Sequence, residues 1–262
     1  MTAAQRLSRA IAVLAGPVLL VQGRRMRRII PRLPDAALPW TGSLEGPKPV
    51  RILVLGDSTA AGVGAATQDD ALPGNLARAI REHWDRGSTW KAIGENGATA
   101  ADIVQRYLAE ATSAEYDLVF LSIGANDALT LRSRGAFRRD VKVILRRLRV
   151  VNPHALILFS SLPAFFRFEA LPNPLRSLLY LHSSSLEEVA RRLVRYEPGV
   201  IMSPPPPPYT EGFFASDLFH PSAQGYRDWV GFALEDSKLI PRTTPASTAS
   251  SEPTASTAPT AP

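Results

Sequence analysis

Residues 53–64 read LVLGDSTAAGVG, a short apolar run that ends in a turn of small residues with one serine, Ser58. The run Val50–Leu55 predicts a β-strand that stops at Gly56, so the turn follows the carboxyl end of that strand. A turn of this kind holds a phosphate group, holds a dinucleotide or exposes a nucleophile. Which of the three applies decides the chemistry open to the chain.

Both phosphate-binding interpretations of the turn fail on specific residues. A phosphate-binding loop needs Lys and then Ser or Thr directly after its last glycine, whereas Gly64 is followed by Ala65 and Ala66. A dinucleotide fingerprint needs a third glycine three residues after Gly64, and that position is Thr67. An exposed nucleophile, Ser58, is the interpretation that remains.

Length and charge narrow the class of protein. The 262 residues suffice for one full-sized domain with extensions. The chain has no cysteine, which excludes disulfides, thiol catalysis and cysteine-ligated zinc. Residues 1–32 carry seven Arg and no acid, so the net charge of +6 leaves −1 for the other 230 residues. The body shows no basic stripe with interleaved aromatic residues, and we expect no nucleic-acid partner.

Residues 1–47 form a basic, apolar N-terminal segment and linker. Their apolar run, residues 10–21, is flanked by Arg on both sides and is too short to span a bilayer. It is typical of a helix at an anionic membrane surface, while a processed signal peptide and a helix packed on the domain are the alternatives. We expect membrane contact through residues 1–32 and a membrane-associated or cell-envelope location, with the cytoplasm as the alternative.

The C-terminal segment, residues 237–262, is predicted to be a disordered tail. From residue 241 it consists almost wholly of Pro, Thr, Ser and Ala, which leaves nothing to bury in a core. A solvated tail and a glycosylated stalk both fit this composition.

Between these ends, residues 48–236 alternate strand and helix signals, which predicts one domain with an open parallel α/β sheet. Helical spacing or capping signals mark residues 72–84, 103–111, 137–148 and 174–196 and a last helix from about 222. Five apolar runs mark the strands, at 50–55, 90–94, 117–124, 155–162 and 200–202.

A serine nucleophile needs a base, a group that orients the base and donors for an oxyanion. Asp217-Leu-Phe-His220 supplies the first two, because the three-residue spacing lets the carboxylate bond one imidazole nitrogen while the other faces outward. The remaining histidines, His83, His154 and His182, are predicted to be surface or structural residues.

Candidate oxyanion donors follow two further strands. Asn126, in the segment Ser122–Asp127, follows the third strand with an amide that can reach the crevice. After the second strand, Thr99 and Asp102 form a predicted capping pair, which leaves backbone N–H groups near Ala100 at the start of a helix.

These pieces, in this order, resemble the GDSL/SGNH hydrolase superfamily over about residues 50–235. The four matching blocks are Gly56-Asp57-Ser58, Asn96-Gly97-Ala98-Thr99-Ala100, Gly124-Ala125-Asn126-Asp127 and Asp217-Leu218-Phe219-His220. The resemblance implies a flavodoxin-like, three-layer α/β/α fold with a mostly parallel five-stranded sheet. It also implies esterase, lipase, thioesterase or acyltransferase chemistry with a serine nucleophile and with no cofactor or metal ion.

The resemblance carries roles over by position. Ser58 is implied as the nucleophile, His220 as the base and Asp217 as its partner. The implied oxyanion hole comprises the Ser58 N–H, the second block at Gly97 and Ala100, and the Asn126 side chain. The family usually has glycine where Ala100 stands, but alanine keeps its N–H if the backbone there is helical.

The sequence therefore predicts a serine ester hydrolase that forms an acyl-enzyme on Ser58. Acyl transfer to an alcohol by the same triad and a non-catalytic binding or cell-envelope scaffold are the alternatives. The substrate is expected to be a small-molecule or lipid ester. Substrate-binding candidates are Asp57 and, within the apolar stretch 162–171, Pro163, Phe165 and Phe166. That stretch is either an acyl-binding lid or ordinary packing.

Overall fold

The computed structural model describes residues 2–237 and 239, with Arg27 and Asp236 described in the backbone alone. Within this part of the chain, one sheet of six strands has the order β1-β3-β2-β4-β5-β6. The strands are β1 (Thr41–Leu44), β2 (Val50–Gly56), β3 (Ser88–Gly94), β4 (Leu118–Ser122), β5 (Leu156–Phe159) and β6 (Val200–Met202).

The five strands β2 to β6 are parallel, and each lies where the apolar runs predict a strand. Counted in chain order, these five run 2-1-3-4-5 across the sheet, which is the flavodoxin-like order. The prediction of five strands is wrong by one, since β1 pairs antiparallel with β3 at the edge. The sheet thus begins before residue 48, inside the segment predicted to be a linker.

Helices cover both faces of the sheet. They are α1 (Ala3–Leu14), α2 (Gly16–Ile29), α3 (Leu72–Trp84), α4 (Ala100–Asp102), α5 (Leu108–Ala111), α6 (Ala125–Leu129), α7 (Arg134–Val151), α8 (Leu175–Val194) and α9 (Ala223–Asp236). A π-helical turn, Ile103–Tyr107, joins α4 to α5, so the helix predicted over 103–111 is divided rather than continuous.

The strands are apolar throughout because both faces of the sheet are buried. Successive residues alternate between two cores: Leu53 and Leu55 pack with α7 and α8, while Ile52 and Val54 pack with α3 and α9. The central strand β4 is buried along its whole length. This three-layer arrangement brings the carboxyl ends of all five parallel strands to one edge.

In the structure the N-terminal helices are packed on the domain. The Ser8 hydroxyl of α1 bonds the Nδ1 atom of His182 in α8 at 2.9 Å. Gln22 of α2 bonds the backbone at Asn173 and Leu175. In the described chain no single helix has the length and hydropathy to cross a membrane, although α1 and residues 16–26 reach them as a pair bent by 79°.

The positive charges of the body are not spread evenly. Arg134, Arg138, Lys142 and Arg146 follow one another at four-residue spacing along α7 and line a groove against α8. The near-neutral sum over the body conceals this surface, because acidic residues elsewhere cancel it.

The described chain ends just beyond the last helix. Helix α9 ends at Asp236, and the Leu239 carbonyl oxygen accepts a hydrogen bond from the Trp84 indole at 3.3 Å. The rest of the tail predicted over 237–262 lies outside the described residues.

Candidate active site

Ser58 lies two residues beyond Gly56, the last residue of β2, at the carboxyl edge of the sheet. The ends of β2 and β4 approach closely: the Asp57 N–H donates to the Ser122 carbonyl oxygen at 3.1 Å. A Cβ atom at Gly56 would lie 2.1 Å from that same oxygen, so only glycine fits. The loops after β2 and β4 leave in different directions here, which creates the crevice where such sheets bind ligands.

The loop before α9 brings His220 to the same edge. It is held as a small hairpin, with the Ala215 N–H bonded to the His220 carbonyl oxygen at 2.8 Å. Inside the loop, the Asp217 Oδ1 atom accepts hydrogen bonds from the N–H groups of Phe219 and His220, each at 2.9 Å. Asp217 is 2% exposed, and its carboxylate is fixed by the backbone that it caps.

The three predicted side chains form one hydrogen-bonded row. The Asp217 Oδ2 atom lies 2.6 Å from the Nδ1 atom of His220, and the Nε2 atom of His220 lies 3.0 Å from the Ser58 Oγ atom. A carboxylate only accepts, so Nδ1 carries the ring proton and Nε2 accepts from the Ser58 hydroxyl. Burial acts to raise the pKa of Asp217, but the hydrogen bonds from His220 and Phe219 outweigh it and the pKa is lowered.

The glycines of the turn after β2 leave room for the loop that carries His220. Gly64 has φ +95°, and a Cβ atom there would lie 2.2 Å from the carbonyl oxygen of Pro221, next to His220. The Tyr226 hydroxyl of α9 donates to the Val63 carbonyl oxygen at 2.8 Å and ties the turn to the same loop. The Gly-Val-Gly segment therefore allows the histidine loop to close over the serine turn.

Three of the N–H donors expected to form the oxyanion hole are not engaged elsewhere. Among the described residues, the backbone N–H groups of Ser58 and Gly97 have no hydrogen-bond acceptor. The Nδ2 atom of Asn126 donates one proton to the Ala98 carbonyl oxygen at 3.1 Å and keeps the other. Gly97 has φ +90°, a conformation that favours glycine, in open space.

The structure corrects the expectation for Ala100. Thr99 and Asp102 do form a capping box at the start of α4, but the Ala100 N–H donates to the Asp127 Oδ2 atom at 2.9 Å. That proton is therefore not free for an oxyanion. Asp127 is fully buried and ion-paired with Arg132 at 3.0 Å. Burial raises the pKa of Asp127 to about 6, against the lowering effects of the Ala100 N–H and Arg132.

Asp57 holds the serine turn from within. Its Oδ1 atom accepts from the Thr59 N–H and the Thr59 hydroxyl, each at 3.1 Å, and that hydroxyl lies 2.7 Å from the Ser122 Oγ atom. Burial raises the pKa of Asp57 to about 6, although Thr59 and the charge of His220 act to lower it. Asp57 reaches the wall of the pocket, and its Oδ1 atom is engaged in the turn.

An open pocket of about 670 Å³, its mouth included, lies over Ser58 and His220. Apart from four serines, Asp57, Thr59 and His220, its wall is apolar and largely aromatic. The apolar and aromatic residues are Ile123, Ala125, Leu162, Pro163, Phe168, Pro206, Tyr209, Phe213, Phe214, Phe219, Pro221, Trp229 and Phe232. The aromatic rings pack edge to face, as Phe168 does with Phe214 and Phe219, with centroids 5.1 and 5.3 Å apart.

Two of the predicted substrate-binding residues are not in this wall. Phe165 is fully buried beneath the pocket, where its ring contacts Phe168 and Phe219. Phe166 is 46% exposed on the outside, stacked edge-on against Tyr180. Pro163 does line the pocket. The stretch 162–171 is thus part wall and part core.

Sequence reasoning missed the second wall, residues 206–214. The prolines of 204–208 suggest only a stiff spacer, yet Pro206 and the aromatic rings after them line the pocket. The aromatic density of 209–219 was the available signal. Arg167 fixes this segment by donating to the carbonyl oxygens of Pro206 and Pro207.

The fold and this row define the class first: an α/β protein with a serine, a histidine and an aspartate bonded in sequence under an apolar pocket. The model of the GDSL-like Lipase/Acylhydrolase family matches residues 54–227. The chain belongs to this family of esterase- and lipase-type hydrolases.

Individual relatives agree with the family. A GDSL-like esterase of Mycobacterium tuberculosis, Rv1075c, is 28% identical over 259 residues, covering 90% of this chain and 82% of the relative. A putative lipolytic protein of the G-D-S-L family from Desulfitobacterium hafniense shares the fold with a TM-score of 0.54 at 16% identity, over 73% of this chain and 99% of that one. A family 3 carbohydrate esterase from Clostridium thermocellum has a TM-score of 0.55 at 15% identity, over 73% and 96%.

Proposed function

We propose that this protein is a serine ester hydrolase that cleaves acyl esters through an acyl-enzyme on Ser58. The observation that carries the proposal is the hydrogen-bonded row Ser58–His220–Asp217 beneath an apolar pocket. A buried hydroxyl bonded to an imidazole, which is itself held by a carboxylate, is the arrangement that activates a serine.

In the first half-reaction the Ser58 Oγ atom attacks the acyl carbonyl carbon and its proton passes to the Nε2 atom of His220. The ionised Asp217 stabilises the resulting imidazolium, and its lowered pKa keeps it ionised through neutral pH. His220 then returns the proton to the alkoxy oxygen as the C–O bond of the ester breaks. The alcohol leaves, and the acyl group stays on Ser58.

The negative oxygen of the tetrahedral intermediate needs donors. The Ser58 N–H, the Gly97 N–H and the free Asn126 amide proton are the proposed set, with Gly97 in place of Ala100. Such a donor contributes ~3–4 kcal/mol to the lowering of the barrier. Water, deprotonated by His220, then attacks the acyl-enzyme and releases the carboxylic acid.

The pocket supports an apolar acyl group. Its wall is built of Leu, Pro and aromatic rings, and each methylene that enters it gains about 0.8 kcal/mol by leaving water. We therefore expect esters of medium-chain or longer acids to be preferred over acetates.

The test is hydrolysis of p-nitrophenyl esters from two to sixteen carbons, with labelling by a fluorophosphonate. The expected result is turnover that rises with chain length to a maximum, and a label that mass spectrometry maps to Ser58. Ser58→Ala should lose both. The matched control is Ser8→Ala, because Ser8 is also a buried serine bonded to a histidine.

Two other results would replace this proposal. Labelling of Ser58 without hydrolysis of any ester, but with ester formation when an alcohol is supplied, would make the protein an acyltransferase. Neither label nor turnover from a folded chain would make it a non-catalytic binding protein.

A further inference from the structure

The helix pair α1–α2 packs on the domain with few large apolar side chains inward. Its buried residues are Ser8 and Ala12, while Gln22 and Gly23 are half-buried. The large apolar residues Ile11, Leu19 and Met26 are also half-buried, and Met26 packs against the core. Hydrogen bonds to His182 and to the backbone at Asn173 and Leu175 hold the pair to the domain.

Most of the large aliphatic residues of the pair point outward. Of the 15 large hydrophobic side chains exposed in the described chain, seven lie in α1 and α2. They are Leu7, Val13, Leu14, Val18, Leu20, Val21 and Ile29, between 50% and 84% exposed. An amphipathic helix on a soluble domain turns such residues into the core, so the outward aliphatic face implies a second apolar environment.

Positive charge surrounds this face. Arg6, Arg9, Arg24, Arg25 and Arg28 are exposed on the same two helices, which carry no acidic residue. The basic groove between α7 and α8 adjoins them. It is lined by six cationic side chains and two acidic ones: Arg134, Arg138, Lys142, Arg146, Arg192 and Arg195 against Glu188 and Glu197.

The arginines of α1 and the groove between α7 and α8 interact electrostatically. Burial, the charge of Arg192 and the charge of Arg6 together lower the pKa of Arg134, while Glu188 opposes them. Arg6 of α1 thus lies within electrostatic range of the α7–α8 groove. The aliphatic face is therefore bordered by the arginines of its own helices, with the cationic groove of α7 and α8 nearby.

We propose that the outward face of α1 and α2 docks on an anionic phospholipid surface, with the adjoining cationic side chains of α1, α2, α7 and α8 at its headgroups. Helices that lie in a membrane interface combine an apolar face with flanking arginine and lysine. The 79° bend and the packing of both helices against α8 suit lying along the surface rather than crossing it. The surface is independent of the proposed catalytic residues.

The test is flotation of the full chain with phosphatidylcholine vesicles that contain 0 to about 40% phosphatidylglycerol, at low and high salt. The expected result is binding that rises with the phosphatidylglycerol fraction and falls several-fold at 0.5 M salt, because salt screens the cationic contacts. Intact mass measured on the bound protein verifies that residues 1–29 are present. A chain that stays unbound at every composition overturns the proposal.

A matched pair of variants separates the docking face from general charge effects. Leu14 is 84% exposed on α1 and Leu38 is 83% exposed outside the helix pair. Leu14→Glu should lower vesicle binding roughly tenfold, since a charge replaces an inserted leucine. Leu38→Glu adds the same charge and should change binding less than twofold. Equal losses in the two variants would overturn the proposal.

Other occupants give distinct results. A dimer in sedimentation velocity without vesicles, converted to monomer by Leu14→Glu, would assign the face to a second copy of this chain and overturn the membrane proposal. Equally tight binding of a short RNA, unaffected by Leu14→Glu, would assign the cationic surface to nucleic acid, with the same consequence. Turnover of a soluble p-nitrophenyl ester by Leu14→Glu, equal to the unmutated chain, verifies that the variant is folded.

Discussion

Two buried serines bond histidine rings in this molecule, and the two pairs differ in what lies beyond the ring. Ser58 contacts His220 at 3.0 Å and Ser8 contacts His182 at 2.9 Å. Behind His220 is the carboxylate of Asp217, whereas the Nε2 atom of His182 lies 3.0 Å from the backbone carbonyl oxygen of Arg132.

The group that bonds the far nitrogen of each histidine ring sets the tautomer of that ring and hence its chemistry. The two partners, the Asp217 carboxylate and the Arg132 carbonyl oxygen, both accept a hydrogen bond from the ring. His220 is therefore protonated on Nδ1 and His182 on Nε2, and each ring accepts a hydrogen bond from its serine hydroxyl with the other nitrogen. Asp217 stabilises a charged ring, but a neutral carbonyl does so weakly. His182 is fully buried and burial, with Arg9 and Arg134 nearby, lowers its pKa. A serine–histidine contact alone therefore does not predict a nucleophile.

The largest expected difference is in turnover. His220→Ala should reduce kcat by ~10³–10⁵-fold because it removes the general base. His182→Ala should leave kcat within about threefold but lower the free energy of unfolding by roughly 3 kcal/mol, because it leaves a cavity and two unpaired polar groups in the core. Ester hydrolysis and urea unfolding of both variants check this.

Loss of turnover in His182→Ala at unchanged stability would break the comparison. It would mean that the Ser8–His182 pair also takes part in catalysis. Far-UV circular dichroism of each variant serves as the control for folding.

A smaller loss of turnover is expected when only Asp217, the partner of His220, is changed. Asp217→Asn keeps an oxygen for the backbone N–H groups of Phe219 and His220 but removes the charge that stabilises the imidazolium. We expect kcat to fall by ~10³–10⁴-fold. A loss of less than tenfold would show that His220 works with a neutral partner, as His182 has. Fluorophosphonate labelling rates provide the second readout.

The catalytic row could be predicted from the sequence because its signals are local. A strand that ends in a small-residue turn and an Asp three residues before a His each specify their own geometry, and parallel strands bring their ends together. Sequence reasoning misplaced the second-block donor, since the partner of the Ala100 N–H is Asp127, 27 residues away. Spacing within a block does not reveal such a contact.

Two other features depend on tertiary packing in the same way. Strand β1 is four residues, TGSL, with only one large apolar side chain, and exists by pairing with β3. The aromatic wall over 206–214 has no periodicity that predicts it. Its position depends on the hydrogen bonds from Arg167 and on packing around the pocket. His182 was predicted as surface or structural, and its burial under α1 assigns it to the structural class.

The pH dependence of the free energy of unfolding tests whether His182 is held neutral in the core. The pKa of His182 is lowered on folding, so below about pH 6.5 the unfolded chain takes up a proton that the folded chain resists. This group should therefore lower the stability as the pH falls from 7 to 5.5. His182→Gln should lack that loss. Urea unfolding of both proteins at the two pH values measures the difference.

The unmutated chain has to be compared with His182→Gln because other groups change the stability in the opposite direction as the pH falls. Asp57 and Asp127 have pKa values raised to about 6, so the folded chain binds protons before the unfolded chain does, and stability rises as the pH falls from about 7 towards 4. Both carboxylates remain in His182→Gln and cancel. Identical pH slopes in the two proteins would contradict the lowered pKa of His182.

The smallest expected effect tests the structural pair from its other side. Ser8→Ala removes the donor to the Nδ1 atom of His182, which then lies buried without a partner, at a cost of about 1–2 kcal/mol. In a domain of this size that lowers Tm by roughly 2–6 °C. Ser58→Ala, by contrast, should change Tm little, because the Nε2 atom of His220 faces a pocket that admits water. The two serine variants thus exchange their phenotypes: one loses stability and keeps turnover, the other keeps stability and loses turnover. Differential scanning calorimetry beside the ester assay detects both, and equal Tm values for the two variants would mean that Ser8 does not hold α1 to the domain.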